Sequence, residues 1–433
     1  MTVARTLRSR LAHLLLAASA AAALPAGAVS ITGRDWRVHF NLPDQNSSIG
    51  TVTPDEFAIR DALVGRLNAL QSGQKAWLAT YTFSGSNLTS GGAGPILRAM
   101  EDALNRTAQV AFVADGGIGL TTQQGGTNSL AGLAARGWNP LQLVQDDSAS
   151  GIVHDKLGLF DFGPTSRWVF ITSWNFTGGA STFQWNIGLE VLSTPLFNAY
   201  SNEFAELLAG RFHDDTNKSH AHDRSVFGLA DATVASFVRF SPYPDANTGG
   251  DHALRDITNC IAGGRRQIVF ALNKLTRTNI AAALVQAANR GVMVHGVIPL
   301  SDSSGAGDSA AICAYLTNAA NYASTNVVHL LTAYSRADGS TLDAGETDLV
   351  HAKYMVIDPF GEDPVLIHGS ANWTLSALQD DNANDENLVF VRHRDVARMF
   401  YAHFKRVTGA FGDSPDFWLD PGTTEGRLWA AET

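Results

Sequence analysis

The stretches HDKLGLFD at residues 154–161 and HAKYMVID at residues 351–358 share one pattern: a histidine, a lysine two residues later and an aspartate five residues after the lysine. The chain has 433 residues and only six lysines, so chance is a poor explanation for two copies of this spacing. Each copy leads to a Ser-x-Asn element, SWN at residues 173–175 and SAN at residues 370–372, with the serine 19 positions after the histidine both times. The chain therefore carries an internal repeat.

The repeat extends beyond the two motifs. The segment VHFN at residues 38–41 reappears in outline as VRFS at residues 238–241. Helical stretches and apolar strand-like runs then alternate in each half, at residues 56–70, 76–83, 95–105 and 109–114 and again at 252–262, 267–272, 280–289 and 292–299. Strands that alternate with helices predict parallel sheets with helices packed on their faces.

Each motif falls on a hairpin-like pair of strands, at residues 156–162 and 168–172 in the first half and at residues 353–357 and 365–368 in the second. Because side chains at positions i and i+2 of a strand lie on the same face, we expect His154 and Lys156 to project together, and likewise His351 and Lys353.

We therefore expect an α/β protein with two similar domains in one chain, at residues 29–212 and 231–433. A polar linker at residues 213–230 separates them. Its histidines and aspartates fit either a metal site or a solvated linker, and we favour the linker because ordered strands do not surround it. These residues are His213, Asp214, Asp215, His220, His222 and Asp223.

The first 28 residues have the pattern of a secretory signal peptide. Three arginines precede an apolar run at residues 11–24, and AGA at residues 26–28 offers small residues for cleavage near Ala28. The run is shorter than the roughly 18 apolar residues that a membrane-spanning helix needs. We expect a secreted or periplasmic protein.

The net charge of the chain indicates which classes of macromolecule it is suited to bind. The formal net charge is −10, and it becomes −13 without residues 1–28, which contain three arginines and no acid. A protein that holds long nucleic acid on a generally basic surface needs lysine and arginine in excess. The composition therefore disfavours that class, although a locally positive pocket remains compatible with it.

Cys260 and Cys313 are the only cysteines of the chain. An oxidising compartment would allow a disulfide between them, and two buried free thiols are an equal alternative. Two cysteines at this spacing do not make a zinc site, and we predict no metal or other cofactor.

The residue types of the motifs suit attack on a phosphodiester. Its anionic oxygens repel nucleophiles, so a site must offset their charge and protonate the leaving oxygen. Two lysines supply positive charge, two asparagine amides donate hydrogen bonds, and two imidazoles can divide the roles of nucleophile and acid. The candidate residues are His154, Lys156, Asn175, His351, Lys353 and Asn372.

The doubled His-x-Lys-x4-Asp motif with its Ser-x-Asn element resembles the phospholipase D superfamily over most of the chain after residue 28. The resemblance implies two similar α/β domains around a two-fold-like axis, with one active site at their interface. It also implies that His154 is the nucleophile that forms a phosphohistidine. His351 would then protonate the leaving group and later activate water. The sequence alone does not assign the two roles.

A difference between the halves bears on these roles. NDENL at residues 384–388 corresponds to QWNIG at residues 184–188, so Glu386 has Asn186 as its counterpart. In the superfamily an acid at this position hydrogen-bonds an imidazole, and its charge would stabilise a cationic phosphohistidine. We favour Glu386 as the support of His154 across the interface. Support of His351 instead would reverse the roles.

The remaining motif residues have supporting roles. An aspartate that ends a strand is more often a structural hydrogen-bond acceptor than a base, and we interpret Asp161 and Asp358 in this way. Ser173 and Ser370 are expected to orient neighbouring groups, since neither lies in a Gly-x-Ser-x-Gly elbow. Three tryptophans beside the site either line a groove or pack in the core: Trp174, Trp185 and Trp373.

The function that we favour is a secreted phospholipase D, which hydrolyses phospholipid head groups to phosphatidic acid. The same intermediate could pass the phosphatidyl group to an alcohol. A secreted nuclease of the same superfamily is the nearest alternative, and a non-catalytic phosphate-binding protein is the alternative of another class. Two motifs in one chain allow a monomer to complete the site, so the expected partners are phospholipid and, transiently, a membrane surface.

Overall fold

The structure, a computed structural model, describes residues 30–43, 54–84, 94–115, 143–146, 151–182, 184–213, 217–219, 222–242, 252–299, 309–331, 349–379 and 384–410. The predicted signal peptide lies outside these ranges. Within them, every helix is too short or too polar to cross a lipid bilayer.

The first half alternates strands with helices. Its strands are β1 (Ser30–Thr32), β2 (Trp36–Phe40), β3 (Lys75–Thr80), β4 (Phe83–Ser84), β5 (Gln109–Asp115), β6 (Leu143–Asp146), β7 (Leu157–Asp161), β8 (Arg167–Thr172), β9 (Phe176–Thr177), β10 (Gln184–Trp185) and β11 (Ile187–Leu192). Its α-helices are α1 (Ala58–Ala69), α2 (Gly94–Asn105), α3 (Gly178–Thr182) and α4 (Thr194–Leu208), and the 3-10 helix Pro54–Phe57 precedes α1. Helix α4 begins after Ser193, whose hydroxyl accepts the N–H of Leu196.

The second half repeats this arrangement. Its strands are β12 (Val226–Phe227), β13 (Ser236–Ser241), β14 (Gln267–Leu272), β15 (Met293–Val297), β16 (His329–Leu331), β17 (Leu349–Val350), β18 (Lys353–Ile357), β19 (Val365–Gly369) and β20 (Glu386–Val391). Its α-helices are α5 (His252–Gly263), α6 (Thr278–Asn289), α7 (Ala310–Thr317), α8 (Leu375–Leu378) and α9 (Arg394–Ala410), with a 3-10 helix at Ala319–Asn321.

Each half builds an eight-stranded sheet, and the two sheets have equivalent strand orders. The orders are β1-β2-β11-β8-β7-β3-β5-β6 and β12-β13-β20-β19-β18-β14-β15-β16. This equivalence confirms the predicted pair of similar α/β domains. The expected parallel order holds for β3-β5-β6 and β14-β15-β16, and β7 with β8, like β18 with β19, forms the expected hairpin-like antiparallel pair. Strand β3 pairs antiparallel with β7, and β14 with β18, so the expectation of parallel sheets is wrong where the motif strands join them. Short connections follow the motif strands, and a short connection joins antiparallel neighbours.

The two sheets share one buried core. Val38 and Leu189 of the first sheet lie in the same apolar cluster as Val238 and Val389 of the second. Helices α4 and α9 contribute to this cluster; α4 contacts β13 of the second half, and α9 contacts β2 of the first. Separate apolar clusters lie under α1 and α2 and under α5, α6 and α7. The layers are therefore helices, sheet, α4 with α9, sheet, and helices.

Short parallel pairings also join the halves. Strand β10 of the first half pairs with β17 of the second. At the mirrored place, Val153 of the first half forms a parallel bridge with Asp385 of the second. Both pairings lie directly before a motif histidine, His351 in one case and His154 in the other. The halves therefore meet where the two motifs begin.

The segment between the halves is not a solvated linker. Its described residues His213, Lys218 and His222 are buried, and each contacts a carboxylate. The metal alternative finds no ligand group either, because no three His, Cys, Asp or Glu side chains in the part of the chain that the structure describes are arranged so that they could hold a metal ion. Asp214, Asp215 and His220 lie outside the described residues.

The two cysteines are free thiols in the structure. Cys260 lies in α5 and Cys313 in α7, and both pack with the outer apolar cluster of the second half. Burial raises the pKa of each thiol to about 11, so both stay protonated at neutral pH. The structure therefore matches the free-thiol alternative rather than the disulfide.

Candidate active site

The motif histidines and lysines meet at the interface between the halves. His154 and Lys156 precede β7, whereas His351 precedes β18 and Lys353 opens it. None of the four is more than 7% exposed. Burial, followed by the charges of both lysines, lowers the pKa of each histidine well below its usual value. The four groups therefore act on one another as a single site.

Local contacts hold each lysine beside its own histidine. Because β7 begins at Leu157, strand alternation does not explain the placement of His154 and Lys156, contrary to our expectation. The Nζ atom of Lys156 instead donates to the carbonyl of His154 at 2.8 Å. Lys353 donates to the carbonyl of His351 at 2.8 Å, and its Nζ is 3.2 Å from Nε2 of that ring.

Glu386 reaches across the interface to His154. Its Oε1 lies 2.7 Å from Nδ1 of His154, and its Oε2 accepts the hydroxyl of Ser370 at 2.7 Å. A carboxylate at Nδ1 favours a proton on that nitrogen and leaves Nε2 as the reactive atom. Of the two pairings that the sequence left open for Glu386, the structure contains the one with His154.

Asn186 occupies the mirrored position and contacts His351. Its Oδ1 accepts Nδ1–H of His351 at 3.0 Å and the hydroxyl of Ser173 at 2.8 Å. Its Nδ2 donates to the carbonyl of Ala180 at 3.0 Å, which fixes the orientation of the amide. The site thus repeats one serine–polar residue–histidine arrangement, with a carboxylate on one side and a neutral amide on the other.

Burial shifts the proton affinities of the charged groups. It raises the pKa of Glu386 to about 8, although the charge of Lys156 acts in the opposite direction. It lowers the pKa of Lys156 to about 8, and it lowers that of Lys353 well below its usual value. A phosphate anion between the lysines would favour their charged forms, since opposite charges interact strongly where water is excluded.

Asn175 and Asn372 follow β8 and β19, and both are partly buried. Asn372 accepts a long hydrogen bond of 3.4 Å from the side chain of Asn273, whose backbone N–H donates to the carbonyl of Ala352 in the second motif. The equivalent place after β3 holds Tyr81, whose ring centroid is 5.1 Å from that of His154. Sequence analysis missed Tyr81 and Asn273. Each residue directly follows one of two equivalent strands, β3 and β14, and this equivalence within the repeat was the signal that could have identified both.

The motif aspartates lie at the other end of their strands. Five residues of extended strand span about 17 Å, so Asp161 and Asp358 do not reach the histidines. Asp358 accepts the backbone N–H groups of residues 265–267 at 2.8 to 2.9 Å. Asp161 accepts the N–H of Gly163 at 3.0 Å. These contacts support a structural role for both aspartates.

The three tryptophans near the motifs belong to the core. Trp174 and Trp373 are fully buried, and Trp185 is 4% exposed. The indole of Trp174 donates to the hydroxyl of Ser181 at 3.1 Å. Core packing therefore explains these side chains, and the alternative of a groove lined by them is wrong.

A cleft of about 870 Å³ opens elsewhere in the second half. Asp358 and Val365 line it, at the ends of β18 and β19 opposite to Lys353 and Ser370. Its Arg392 already forms an ion pair with Asp363. The length of the strands separates this cleft from the histidines, so it is not the site of phosphodiester chemistry.

Comparison with known families agrees with this geometry. A family model described as "Cardiolipin synthase, PLD-like domain" matches residues 67–208 and again residues 257–408, which together make up more than half of the chain. The chain belongs to the phospholipase D superfamily. A search of curated proteins found no match. Members of this superfamily act on phosphodiesters, and each matched region of this member contains one complete motif.

Two of the following solved structures share the fold of this superfamily member with TM-scores above 0.5. Polyphosphate kinase from Porphyromonas gingivalis matches with a TM-score of 0.55 and 14% identity over 86% of this chain and 50% of the kinase, so the chain spans half the length of that protein. Phosphatidylserine synthase from Haemophilus influenzae Rd KW20 matches with a TM-score of 0.55 and 10% identity over 89% of both chains. Nuc from Salmonella typhimurium, a phospholipase D family member, is 22% identical over 40% of this chain and 94% of its own, with a TM-score of 0.29.

Proposed function

We propose that this protein is a phospholipase D that hydrolyses the head-group phosphodiester of a phospholipid and releases phosphatidic acid. The observation that carries the proposal is the contact of Glu386 with Nδ1 of His154 in a site that also contains His351 and two lysines. Two imidazoles with different partners can take different roles in one reaction. A protein that only bound phosphate would need the lysines but not two titratable rings.

In the first step, Nε2 of His154 attacks phosphorus, and the bond from phosphorus to the head-group oxygen breaks. The new N–P bond makes the ring cationic, and the carboxylate of Glu386 at Nδ1 offsets that charge. Lys156 and Lys353 offset the charge on the phosphoryl oxygens in the transition state. The head-group oxygen takes a proton from His351 and leaves as an alcohol.

His351 acts as the acid in this step and as the base in the next. Asn186 accepts its Nδ1–H, so the proton that is transferred is the one on Nε2. Burial and the lysine charges lower the pKa of this ring in the empty site, and a bound phosphate anion counteracts the lysines. After the alcohol leaves, Nε2 takes a proton from water, whose oxygen attacks phosphorus and breaks the N–P bond. An alcohol in place of water gives transphosphatidylation.

Phospholipid is the substrate class that the overall charge favours. A chain of net charge −10 has no excess of basic residues with which to hold long nucleic acid. The proposed signal peptide, cleaved near Ala28, would deliver the enzyme to the periplasm or the medium. There a monomer with domains at residues 29–212 and 231–433 would contact a membrane surface only while it binds substrate.

The test uses phosphatidylcholine vesicles with ethanol, in the presence of a chelator, and mass spectrometry of the lipid products. We expect phosphatidic acid and phosphatidylethanol from the unchanged protein and neither from His154→Asn. His329→Asn, which changes an exposed histidine in β16, is the matched control and is expected to retain activity. Protein quenched with denaturant at mildly alkaline pH, where the N–P bond is stable, should carry the phosphatidyl adduct on His154.

Other results would change the assignment in defined ways. An adduct on His351 would reverse the roles of the two histidines. Cleavage of single-stranded DNA with no lipid product would identify a nuclease instead. Tight binding of inorganic phosphate without turnover of any diester would refute an enzymatic function and establish a phosphate-binding protein.

A further inference from the structure

The segment between the halves contributes a buried lysine that contacts Asp385, the residue whose backbone carbonyl accepts the N–H of His154. Lys218 is 5% exposed, and its Nζ lies 2.6 Å from Oε1 of Glu203 and 2.6 Å from Oδ1 of Asp385. Glu203 belongs to α4 of the first half, whereas Asp385 precedes β20 of the second. One cation therefore joins a carboxylate of each half.

The charges in this cluster are strongly stabilised. Burial lowers the pKa of Lys218, but Asp385 and Glu203 outweigh that effect and raise it above the usual value. Burial raises the pKa of Glu203, but Lys218 and His222 outweigh it and lower the pKa to about 2. The ion pairs thus persist at neutral pH despite their lack of contact with water.

His213, which belongs to the same segment, also contacts the side chain of Asp385. The backbone N–H of His213 donates to both carboxylate oxygens of Asp385, at 3.0 and 3.1 Å. The ring of His213 lies 3.1 Å from Asp385 through Nδ1 and 2.7 Å from Asp146 through Nε2. The side chain of Asp385 is therefore held at every polar atom by residues of the connecting segment.

The backbone of Asp385 is part of the active site. Its carbonyl accepts the N–H of His154 at 2.9 Å, and its N–H donates to the carbonyl of Ile152 at 3.0 Å. The next residue in the chain is Glu386, whose carboxylate contacts the ring of His154. The position of Asp385 therefore determines where the backbone of His154 lies. It also determines where the side chain of Glu386, which contacts the ring of His154, leaves the backbone.

Among the residues that the structure describes, no such charge cluster lies at the mirrored place beside His351. The carbonyl of Trp185 accepts the N–H of His351 at 3.1 Å, so the backbone contact is the same. The side chain there is an indole that packs edge-to-face against His403, whose pKa burial lowers to about 3. The described charge cluster thus contacts the backbone segment that pairs with His154 and carries Glu386, and not the segment that pairs with His351.

We propose that Lys218 is a positioning residue for the chemistry at His154. It holds Asp385 in place and thereby keeps the carboxylate of Glu386 at Nδ1 of the nucleophile. The proposal rests on the proposed function for its kinetic consequence. The position of the His154 ring relative to Glu386 can be measured independently of any activity.

The test compares three proteins with a short-chain phosphatidylcholine as substrate. Lys218→Met alone would leave buried carboxylates without their cation, so the variant of choice is Lys218→Met/Asp385→Asn, which removes one charge of each sign. Asp223→Asn is the matched control, because it weakens another ion pair of the same segment, with Arg239, that does not contact the site. If the double variant does not fold, Lys218→Gln alone replaces it, because the amide removes the positive charge but can still donate hydrogen bonds to Glu203 and Asp385.

We expect kcat of the double variant to fall by at least about tenfold, toward the hundredfold that a misplacement of about 1 Å can cost, with KM nearly unchanged. The ¹⁵N resonances of the His154 ring should shift in the double variant and not in Asp223→Asn. Unchanged kcat and unchanged ring resonances in a folded variant would overturn the proposal. If the unchanged protein turns over no diester, the proposed function fails, and the ring resonances alone decide whether Lys218 positions the pair.

Discussion

Glu386 and Asn186 occupy equivalent positions, yet only one of them carries charge. Glu386 contacts Nδ1 of His154 at 2.7 Å, and Asn186 accepts Nδ1–H of His351 at 3.0 Å. A carboxylate stabilises a ring that is cationic for as long as the phosphohistidine lasts. A neutral amide only orients a ring that gains and loses a proton. The difference between Glu386 and Asn186 thus distinguishes two histidines that the repeat otherwise makes equivalent.

Matched changes at these two positions should have different kinetic effects. Glu386→Gln is expected to lower the rate of adduct formation by about 10- to 100-fold, because the cationic ring loses its counter-charge. Asn186→Ala is expected to slow cleavage of an alkyl head group but to spare a p-nitrophenyl diester, whose leaving group needs no acid. Single-turnover kinetics with both substrates measures the two effects. Equal losses on both substrates for Asn186→Ala would contradict the assignment of His351 as the acid.

The pH dependence of the free enzyme should be bell-shaped with its maximum near pH 8. Burial raises the pKa of Glu386 to about 8, so the pair with His154 loses its extra proton, and frees Nε2, as the pH rises to that value. Burial lowers the pKa of Lys156 to about 8, so its charge is lost above it. The profile of kcat/KM reports both groups. Glu386→Gln should lose the rising limb and keep the falling one; an unchanged profile would exclude Glu386 as the titrating group.

At the scale of elements, β7 and β18 each have candidate catalytic residues at one end and a structural aspartate at the other. The histidine and lysine of each motif lie just before the strand or at its first residue, and the aspartate lies at its last residue or directly after it. Asp358 has a φ of +49°, a left-handed conformation that aspartate and asparagine tolerate better than most residues. From this position it accepts three consecutive backbone N–H groups of residues 265–267. The third residue of the motif therefore anchors the chain that enters β14.

Asp358→Asn is expected to lower the free energy of unfolding by about 1.5–3 kcal/mol without a change in kcat, because charged hydrogen bonds to backbone N–H groups are lost. Asparagine keeps the left-handed backbone, so the variant isolates the carboxylate. Asp161→Asn should cost less than about 1 kcal/mol, since its partner Arg167 is partly exposed. Urea denaturation and steady-state kinetics check both variants. A large loss of kcat in stably folded Asp358→Asn would indicate a catalytic role.

At the scale of the whole molecule, the connecting segment links the halves by charge. His213 contacts Asp146 of the first half and Asp385 of the second. Burial lowers the pKa of His213, but the two carboxylates outweigh burial and raise it from 6.5 to about 9. Since the folded state holds the proton more tightly, this contribution to stability is complete below pH 6.5 and is lost as the pH rises to about 9.

The free energy of unfolding should therefore decrease between pH 6.5 and pH 9, and the decrease should be smaller in His213→Asn, in which only other groups such as Glu386 contribute. Asparagine suits the φ of +53° at this position, so the backbone is not strained. Urea denaturation across the pH range provides the measurement, with Asp223→Asn as the control that retains the slope. A variant with the same pH slope as the unchanged protein would show that His213 is not the linked group.

The repeat of the histidine, lysine and aspartate spacing was sufficient to predict two similar domains, because similar sequences in one chain adopt similar folds. The single shared site was implied by the resemblance to the phospholipase D superfamily and not by the spacing. The apolar runs after each motif also predicted a hairpin-like pair of strands, which β7 with β8 and β18 with β19 form. They did not predict the antiparallel pairing of β3 with β7, because these two strands lie far apart along the chain. The role of residues 213–223 was misjudged for a related reason. Their polarity indicated solvent, but their partners come from residues 146, 203 and 385.

The sequence by itself determined which residue types form the site, and the presence of Glu386 opposite Asn186 already made the two halves unequal. Only the tertiary structure decided which histidine Glu386 contacts, because that contact joins side chains 232 positions apart along the chain. It also decided that Lys218 is buried between Glu203 and Asp385 rather than solvated. A charged residue stays in the interior only where partners from distant segments compensate for the loss of water, and sequence spacing does not encode that convergence.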